Sequence, residues 1–549
     1  MPLIDRGTAV RRGAGFFSAV LLVACLQPAQ SGGQGKPAGE QFRISGTVIN
    51  AATGEPIQNA AVAVLSEEAD GHIIESVFTD NDGRFVLAGL AAAKYQLTAS
   101  KRGYRTAFYD EHDEYSSAIV TGPGLETGGL TFRLTPGAVV RGVVTADGGD
   151  PVENARVMLF KRPHGHKPGA RVAQVDTQTT DDTGAYEFSN LAEGEYLVAV
   201  TAEPWYAMHL PAGNDSDGGA ALDVAYPITF FDSTTDEASA TPITVTAGST
   251  QQADISLHAV QALNLKVMLP RRADGGWARP ELRQSIFGVQ TSAESIGLAS
   301  SPARNWVEFT GVAPGHYELM QGDPPRLAEL DASTSEQVDP TQGTPTVEVR
   351  GTLKPAAEAA LPADMTLMLE PAAGETRGEP MQSSGARGSF RFSAVPPGKW
   401  TVSAQTAGRQ LAVLAVTSGG TTHAGNEITV SDRSLQVTLS VSVGSARVEG
   451  IVRRNGKGVA GAMVMLVPRN LAAIAELARR DQSDSDGSFS LRDAIPGQYT
   501  VVAIEHGWDL DWARPETIRR FLPRGTSVTV TDAGGKGIRM SEAVELQSP

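Results

Sequence analysis

Apolar and polar residues alternate along this chain in one phrase that returns five times. In DSDGSFSLRDAIPGQYTVVA (484–503), Phe489 and Leu491 alternate with polar neighbours. Tyr499, Val501 and Ala503 alternate again after a break at Pro496-Gly497. Period-two alternation on both sides of a Pro-Gly break predicts two strands with a tight connection and their apolar side chains on one face. The same form recurs in DNDGRFVLAGLAAAKYQLTA (80–99), DDTGAYEFSNLAEGEYLVAV (181–200), ARNWVEFTGVAPGHYELMQG (303–322) and ARGSFRFSAVPPGKWTVSAQ (386–405). A large ring stands at matched places in all five. Phe85, Phe188, Phe309, Phe392 and Phe489 lie on the first strand, and Tyr95, Tyr196, Tyr317, Trp400 and Tyr499 on the second. These rings are expected to fill cores, with their polar tips reaching an edge.

Ahead of each hairpin runs an opening strand, a Gly/Pro turn and a strand of small and branched residues. FRISGTVINAATGEPIQNAAVAVL (42–65) is the first, and VRGVVTADGGDPVENARVMLF, VRGTLKPAAEAALPADMTLMLE and VEGIVRRNGKGVAGAMVMLVP follow at 140, 349 and 448. A weaker version, LNLKVMLPRRADG, starts at 263. Starts near 44, 140, 263, 349 and 448 give units of domain size, too long for solenoid repeats. Several short strands with frequent turns in each unit predict two packed sheets. The predicted fold class is all-β, a tandem array of about five β-sandwich modules with almost no helix. The exceptions are a short helix in NLAAIAELARR (470–480) and a second starting at Pro515. The predicted units are 42–136, 137–260 with an insertion at 203–243, a degenerate 261–345, 346–443 and 444–549. Connections such as Pro136-Gly137 into Val139-Val140 are short enough to restrict the angle between neighbours. A bent rod on the order of 150 Å long is therefore expected.

The succession Gly46-x-Val48, then GEPIQNAAVAV, then TDNDGRFVLAGLAAAKYQLTASKRGY resembles the carboxypeptidase regulatory-like domain. The resemblance is good in the first, second and fifth units, fair in the fourth and poor in the third. It implies a transthyretin-like (prealbumin-like) sandwich, grouped with carbohydrate-binding-like folds, in a multi-module secreted bacterial protein. In metallocarboxypeptidases such a domain follows a zinc catalytic domain and has no catalysis of its own. The nine His residues here are scattered, with no H-x-x-E pair in a helical setting. The resemblance thus implies a fold and a non-catalytic role.

Charge narrows the partners. With 62 acids against 46 bases, the net charge of -16 excludes the basic footprint of a nucleic-acid binder. At the N-terminus Arg6, Arg11 and Arg12 precede an apolar run, Phe16 to Ala24, and a Gly/Ser/Gln-rich linker follows to about residue 41. That is the layout of a secretory signal, 1–24. Leu22-Val23-Ala24-Cys25 resembles a bacterial lipobox, which makes Cys25 the expected lipid attachment; ordinary cleavage near Cys25 or Gln30 is the alternative. Cys25 is the only cysteine, so no disulfide forms within the chain. The expected address is an exported, outer-membrane or cell-surface lipoprotein, otherwise a periplasmic or secreted protein, with a lipid anchor as its only membrane contact.

Candidate chemistry is sparse. Asp80-Asn81-Asp82-Gly83 and Asp484-Ser485-Asp486-Gly487 look like calcium-loop starts, but a strand begins directly after each Gly, so turns are expected. His164-Gly165-His166 reads as a solvated loop. The opening strands carry no Lys for a Lys-to-Asn isopeptide bond except Lys266, which reads as solvent-facing. Trp205, Tyr206, Trp508 and Trp512 lie outside the repeat. They are the candidates for stacking on sugar rings, set against packing at module ends. No catalytic, cofactor-binding or metal-ligating set is expected. The expected function is a non-catalytic structural or binding protein of the cell envelope, with polysaccharide capture as the alternative.

Overall fold

The computed structural model describes residues 40–549 apart from 67–71, 164–171, 210–221, 270–278, 294–296, 302–305, 323–324, 340–342, 357–359, 373–379, 386–387, 407–408, 443–445 and 532–536. Cys25 and His164-Gly165-His166 lie outside the described residues.

In the first unit the opening strand, Phe42–Asn50, is the centre of a three-stranded sheet. It runs antiparallel to Arg84–Leu90 and parallel to Leu130–Leu134. The facing sheet orders Ile73–Phe78, Ala61–Ser66 and Lys94–Ser100, and closes with Ala107–Phe108 and Ile119–Val120. Ile44, Val48, Phe85, Leu87, Tyr95 and Leu97 all point into the space between the sheets and share one core. Period-two alternation permits nothing else once one face is dry.

The plan repeats. Separate cores gather Val140, Phe188 and Tyr196; Leu265, Phe309 and Tyr317; Val349, Phe392 and Trp400; and Val448, Phe489 and Tyr499. The fourth and fifth units vary it by joining their sheets. Arg409–Ser418 pairs with Gly398–Thr406 of one sheet and Leu435–Ser442 of the other. Val544–Gln547 likewise pairs with Ala446–Arg454 and with Gly497–Ile504. The architecture is therefore all-β, an array of β-sandwiches. Among the described residues the α-helices are Ile474–Leu477 and Pro515–Arg519.

Tyr95, Tyr196, Tyr317 and Trp400 use their polar tips in one way. The hydroxyls of Tyr95, Tyr196 and Tyr317 donate to the carbonyls of Ala91, Ala192 and Ala313, at 3.1, 2.7 and 2.7 Å. Trp400 Nε1 donates to Pro396 O at 3.1 Å. Each donor reaches the carbonyl four residues back, so the ring that fills the core also ties down the hairpin connection.

Glycine in the opening strand is a matter of space. At Gly142 a Cβ would overlap the Ala253 carbonyl and lie 2.9 Å from Tyr186 Oη, and at Gly46 it would overlap the Leu130 carbonyl. Gly142→Val is expected to destabilise the second unit by about 3 kcal/mol, the upper end of an overpacking cost. A urea titration followed by hydrogen exchange of Val140 and Val198 would measure it.

Two expectations need correction. In NLAAIAELARR the helix stops at Leu477, and both arginines lie in a strand, Arg479–Gln482. Pairing with Met463–Pro468 captures them, so tertiary contact overrides local propensity. The rod is also wrong. The first and fifth units touch, with Lys94 paired to Asp484 and Asp113 to Arg480. Short connections do restrict the angle between neighbours, but the angles they set bend the array until its ends meet.

Candidate interaction site

The closing contact begins with turn chemistry. In the first unit Asp80 Oδ1 accepts from the N–H groups of Asp82 and Arg84 at 2.9 and 2.8 Å, with Gly83 at φ +72. Asp181 does the same for Thr183 and Ala185, both at 2.9 Å. In the fifth unit Asp486 Oδ1 takes the Ser488 N–H at 2.9 Å. Asp484, the counterpart of Asp80, instead faces the first unit. Its Oδ1 accepts from Ala118 N at 2.9 Å and its Oδ2 meets Lys94 Nζ at 2.5 Å. The expectation that these acids shape turns holds for Asp80 and Asp486, and Asp484 gains a second role as a cross-unit anchor.

Around Asp484 the segment Ser483–Ser485 lies against Ser117–Val120. Ser485 N donates to Ala118 O at 3.0 Å, Val120 N to Ser485 Oγ at 2.8 Å and Ser117 Oγ to Ser483 O at 2.9 Å. Gln482 is sealed inside, 1% exposed, and its amide donates to Ser117 Oγ at 2.9 Å and Asp110 Oδ2 at 3.1 Å. The polar groups named here each have a partner, which is what a buried polar contact requires.

Beside this ladder sits an aromatic clamp. Trp508 stacks on His112 with ring centroids 5.4 Å apart and planes 9° apart, and on Tyr115 at 5.5 Å. The Arg480 guanidinium, 8% exposed, lies over Tyr115 at 5.1 Å, Trp508 at 5.9 Å and Trp512 at 4.5 Å, and pairs with Asp113 Oδ2 at 3.2 Å. Trp508 and Trp512 are thus half-buried. Side chains of the protein lie against both rings, the packing that was set against sugar stacking for these residues.

Asp481 underlies the contact. Burial pushes its carboxyl up to about 7, and nearby Asp484 adds to the rise, while hydrogen bonds from Ser490 N and Gln482 N and the charge of Lys94 oppose it. A folded pKa above the unfolded one means that the native state binds the extra proton. Stability therefore falls as pH rises from about 4 to about 7, by up to about 4 kcal/mol, and the loss is complete above that window. Asp481→Asn is expected to flatten this slope in urea midpoints of the fifth unit between pH 5 and 8.

The other two candidates lie in the insertion of the second unit. Trp205 is 92% exposed, with its ring edge-on to Tyr206 at 5.7 Å. The described parts of the insertion are otherwise well seated. Thr229–Phe230 pairs with Ala199–Val200, and Val224–Ala225 with Val260–Gln261. His209 bridges Asp223 at 3.1 Å and Glu203 at 3.2 Å and lies against Gly311 of the third unit. A hairpin tip of the third unit, Phe287-Gly288, enters an apolar pocket of the second. Phe287 meets Phe160 and Phe230 at 5.1 Å each, and its N–H donates to Glu237 at 2.7 Å. Lys266 is also not simply solvent-facing: its ammonium lies 4.6 Å from the centre of the Trp306 ring.

Sequence reasoning missed Lys94, Asp110, Ser117, Arg480 and Gln482 as site residues. One signal was available: Arg479-Arg480 and Trp508 fall where the fifth unit departs from its cousins.

Comparison with solved structures finds low overall similarity. The Bacillus anthracis TIE protein aligns over 94% of this chain and 75% of its own at 11% identity and a TM-score of 0.17. Shaft pilin SpaA from Lactobacillus rhamnosus GG aligns over 40% of this chain and 98% of its own at 11% identity and 0.20. The minor pilin GBS52 of Streptococcus agalactiae aligns over 40% and 96% at 11% and 0.21. The fold stands on the sheets described above rather than on these likenesses. No curated protein matches the chain. The model of the carboxypeptidase regulatory-like domain matches residues 43–135 and again 139–258. Those two spans coincide with the first two cores, and it is these two units that match the carboxypeptidase regulatory-like domain.

Proposed function

We propose that the chain is a non-catalytic structural and binding protein of the cell envelope, exported and held at the membrane by a lipid on Cys25. The observation that carries this reading is where the polar chemistry goes. The acids, amides and cationic side chains that sit together spend their hydrogen bonds on turns and on the contact between the first and fifth units. A scaffold needs such adhesion between its own parts. The lipobox-like Leu22-Val23-Ala24-Cys25 supports the anchor, and no helix among the described residues is long and apolar enough to cross a membrane. Cells expressing the full chain are expected to incorporate a palmitate analogue into it, and Cys25→Ala to abolish the label. An unlabelled parent chain would refute the anchor.

Polysaccharide capture is favoured by one observation, the free face of Trp205 beside Tyr206. A sugar ring stacked there is worth on the order of 1 kcal/mol. Retention on a polysaccharide array, weakened several-fold by Trp205→Ala, is the expected outcome for that reading. An array that retains nothing sinks it.

A further inference from the structure

The contact between the first and fifth units joins two different surfaces. One is formed by Lys94 and residues 110–120, the other by residues 480–485 and Trp508. Each is complete on a single unit, and the second, third and fourth units supply none of the groups named. The surfaces are complementary in charge at two places, Lys94 to Asp484 and Asp113 to Arg480. They are also mostly polar, unlike the junction of the second and third units, where Phe160, Phe230, Phe287 and Ile286 pack together. Polar interfaces between pre-folded parts are the kind that separate and re-form. A pair of unlike, self-contained, complementary surfaces on one chain is a heterologous contact. It closes on itself within a chain, or it links one copy to the next.

We propose that this surface pairing also works between copies, joining the first unit of one chain to the fifth unit of another, head to tail. Within one chain closure is favoured by high effective concentration, so the isolated protein is a closed monomer. Opening the closure frees both surfaces for a second copy. The pairing depends on neither a lipid nor a sugar, so it stands or falls apart from the reading above.

Two full-length variants test it. Lys94→Glu places a carboxylate against Asp484, and Asp484→Lys places an ammonium against Lys94, so neither variant closes on itself. Each alone is expected to be monomeric by light scattering, with a larger radius of gyration than the parent. In an equimolar mixture the unaltered first unit of the Asp484→Lys chain meets the unaltered fifth unit of the Lys94→Glu chain. One junction of the mixed pair is therefore native at every atom. The mixture is expected to reach at least twice the single-chain mass at concentrations on the order of 100 µM. Both substitutions in one chain re-form an ion pair across the closure. That chain is expected to return to a monomer of smaller radius than either single variant, which shows that the substituted units fold. A mixture that stays at the single-chain mass overturns the proposal, whatever the radii of the separate variants. So does association of either variant alone to the same extent as the mixture.

Discussion

Trp400→Ala will unfold the fourth unit locally, at a cost of about 3–5 kcal/mol, while Trp400→Tyr will keep most of that stability. Trp400 is 1% exposed and is among the largest fully buried side chains of the protein. Its removal forfeits a buried ring and leaves a cavity in the core that it shares with Leu369, Val402 and Ile428. It also leaves the Pro396 carbonyl without its indole donor. Tyrosine is the informative replacement because the first three units already use it at the matched place, donating to the carbonyl four residues back. The fourth unit has adapted to a wider ring, so tyrosine underfills it by a few atoms but keeps the tie to the connection. The two changes thus separate volume from hydrogen bonding. A chain of several units does not unfold in one step, so hydrogen exchange at Val402 and Leu439, compared with Val140 in the second unit, is the suitable readout. Equal protection at all three sites in the alanine variant would contradict the account.

Arg480→Ala will open the contact between the first and fifth units. The guanidinium is nearly sealed from water and serves three rings and one carboxylate at once. Its loss leaves Asp113 unpaired and a gap between Tyr115 and Trp512. Asp113 is 42% exposed, so the ion pair itself is worth about 1 kcal/mol or less, and the cation–π contacts, about 0.5–2 kcal/mol each, carry most of the effect. The two units keep their own cores, since Phe85 and Phe489 lie far from the change in packing terms, in separate clusters. The expected result is therefore a rise in the radius of gyration by solution scattering with unchanged circular dichroism. Arg480→Lys is expected to rescue little, because a compact ammonium does not stack as a planar fork does. An unchanged scattering curve for Arg480→Ala would show that the polar ladder of Gln482 to Ser485 suffices alone.

How far the sequence revealed these features depends on how local each one is. Strand pairs such as Phe85/Leu87 with Tyr95/Leu97 were legible because alternation is written in the strand itself. The turn acids were legible for the same reason. Asp484 was half-legible: DSDG and DNDG are near-identical strings, and only the fifth unit is met by Lys94 and Ala118 from over three hundred residues away. Nothing local marks that difference. Arg479-Arg480 misled because Leu471 to Leu477 does start as a helix, and only the neighbouring strand at Met463–Pro468 decides where it ends. The rod failed on geometry. Short connections announce that an angle is fixed, but its value comes from side-chain packing at each junction, such as Phe287 between Phe160 and Phe230.

The closure has a mechanical meaning. A tension applied between the N-terminal segment before Phe42 and the C-terminal strand Val544–Gln547 runs first through Lys94–Asp484 and the Ala118–Ser485 hydrogen bond. While these hold, the three middle sandwiches form a slack arm in parallel and carry no load. Once they part, the same three sandwiches enter the line of force, and the tether lengthens by their combined span without any unit unfolding. The closing contact is in that sense a fuse, and the cores behind it are protected for as long as it is the weaker element.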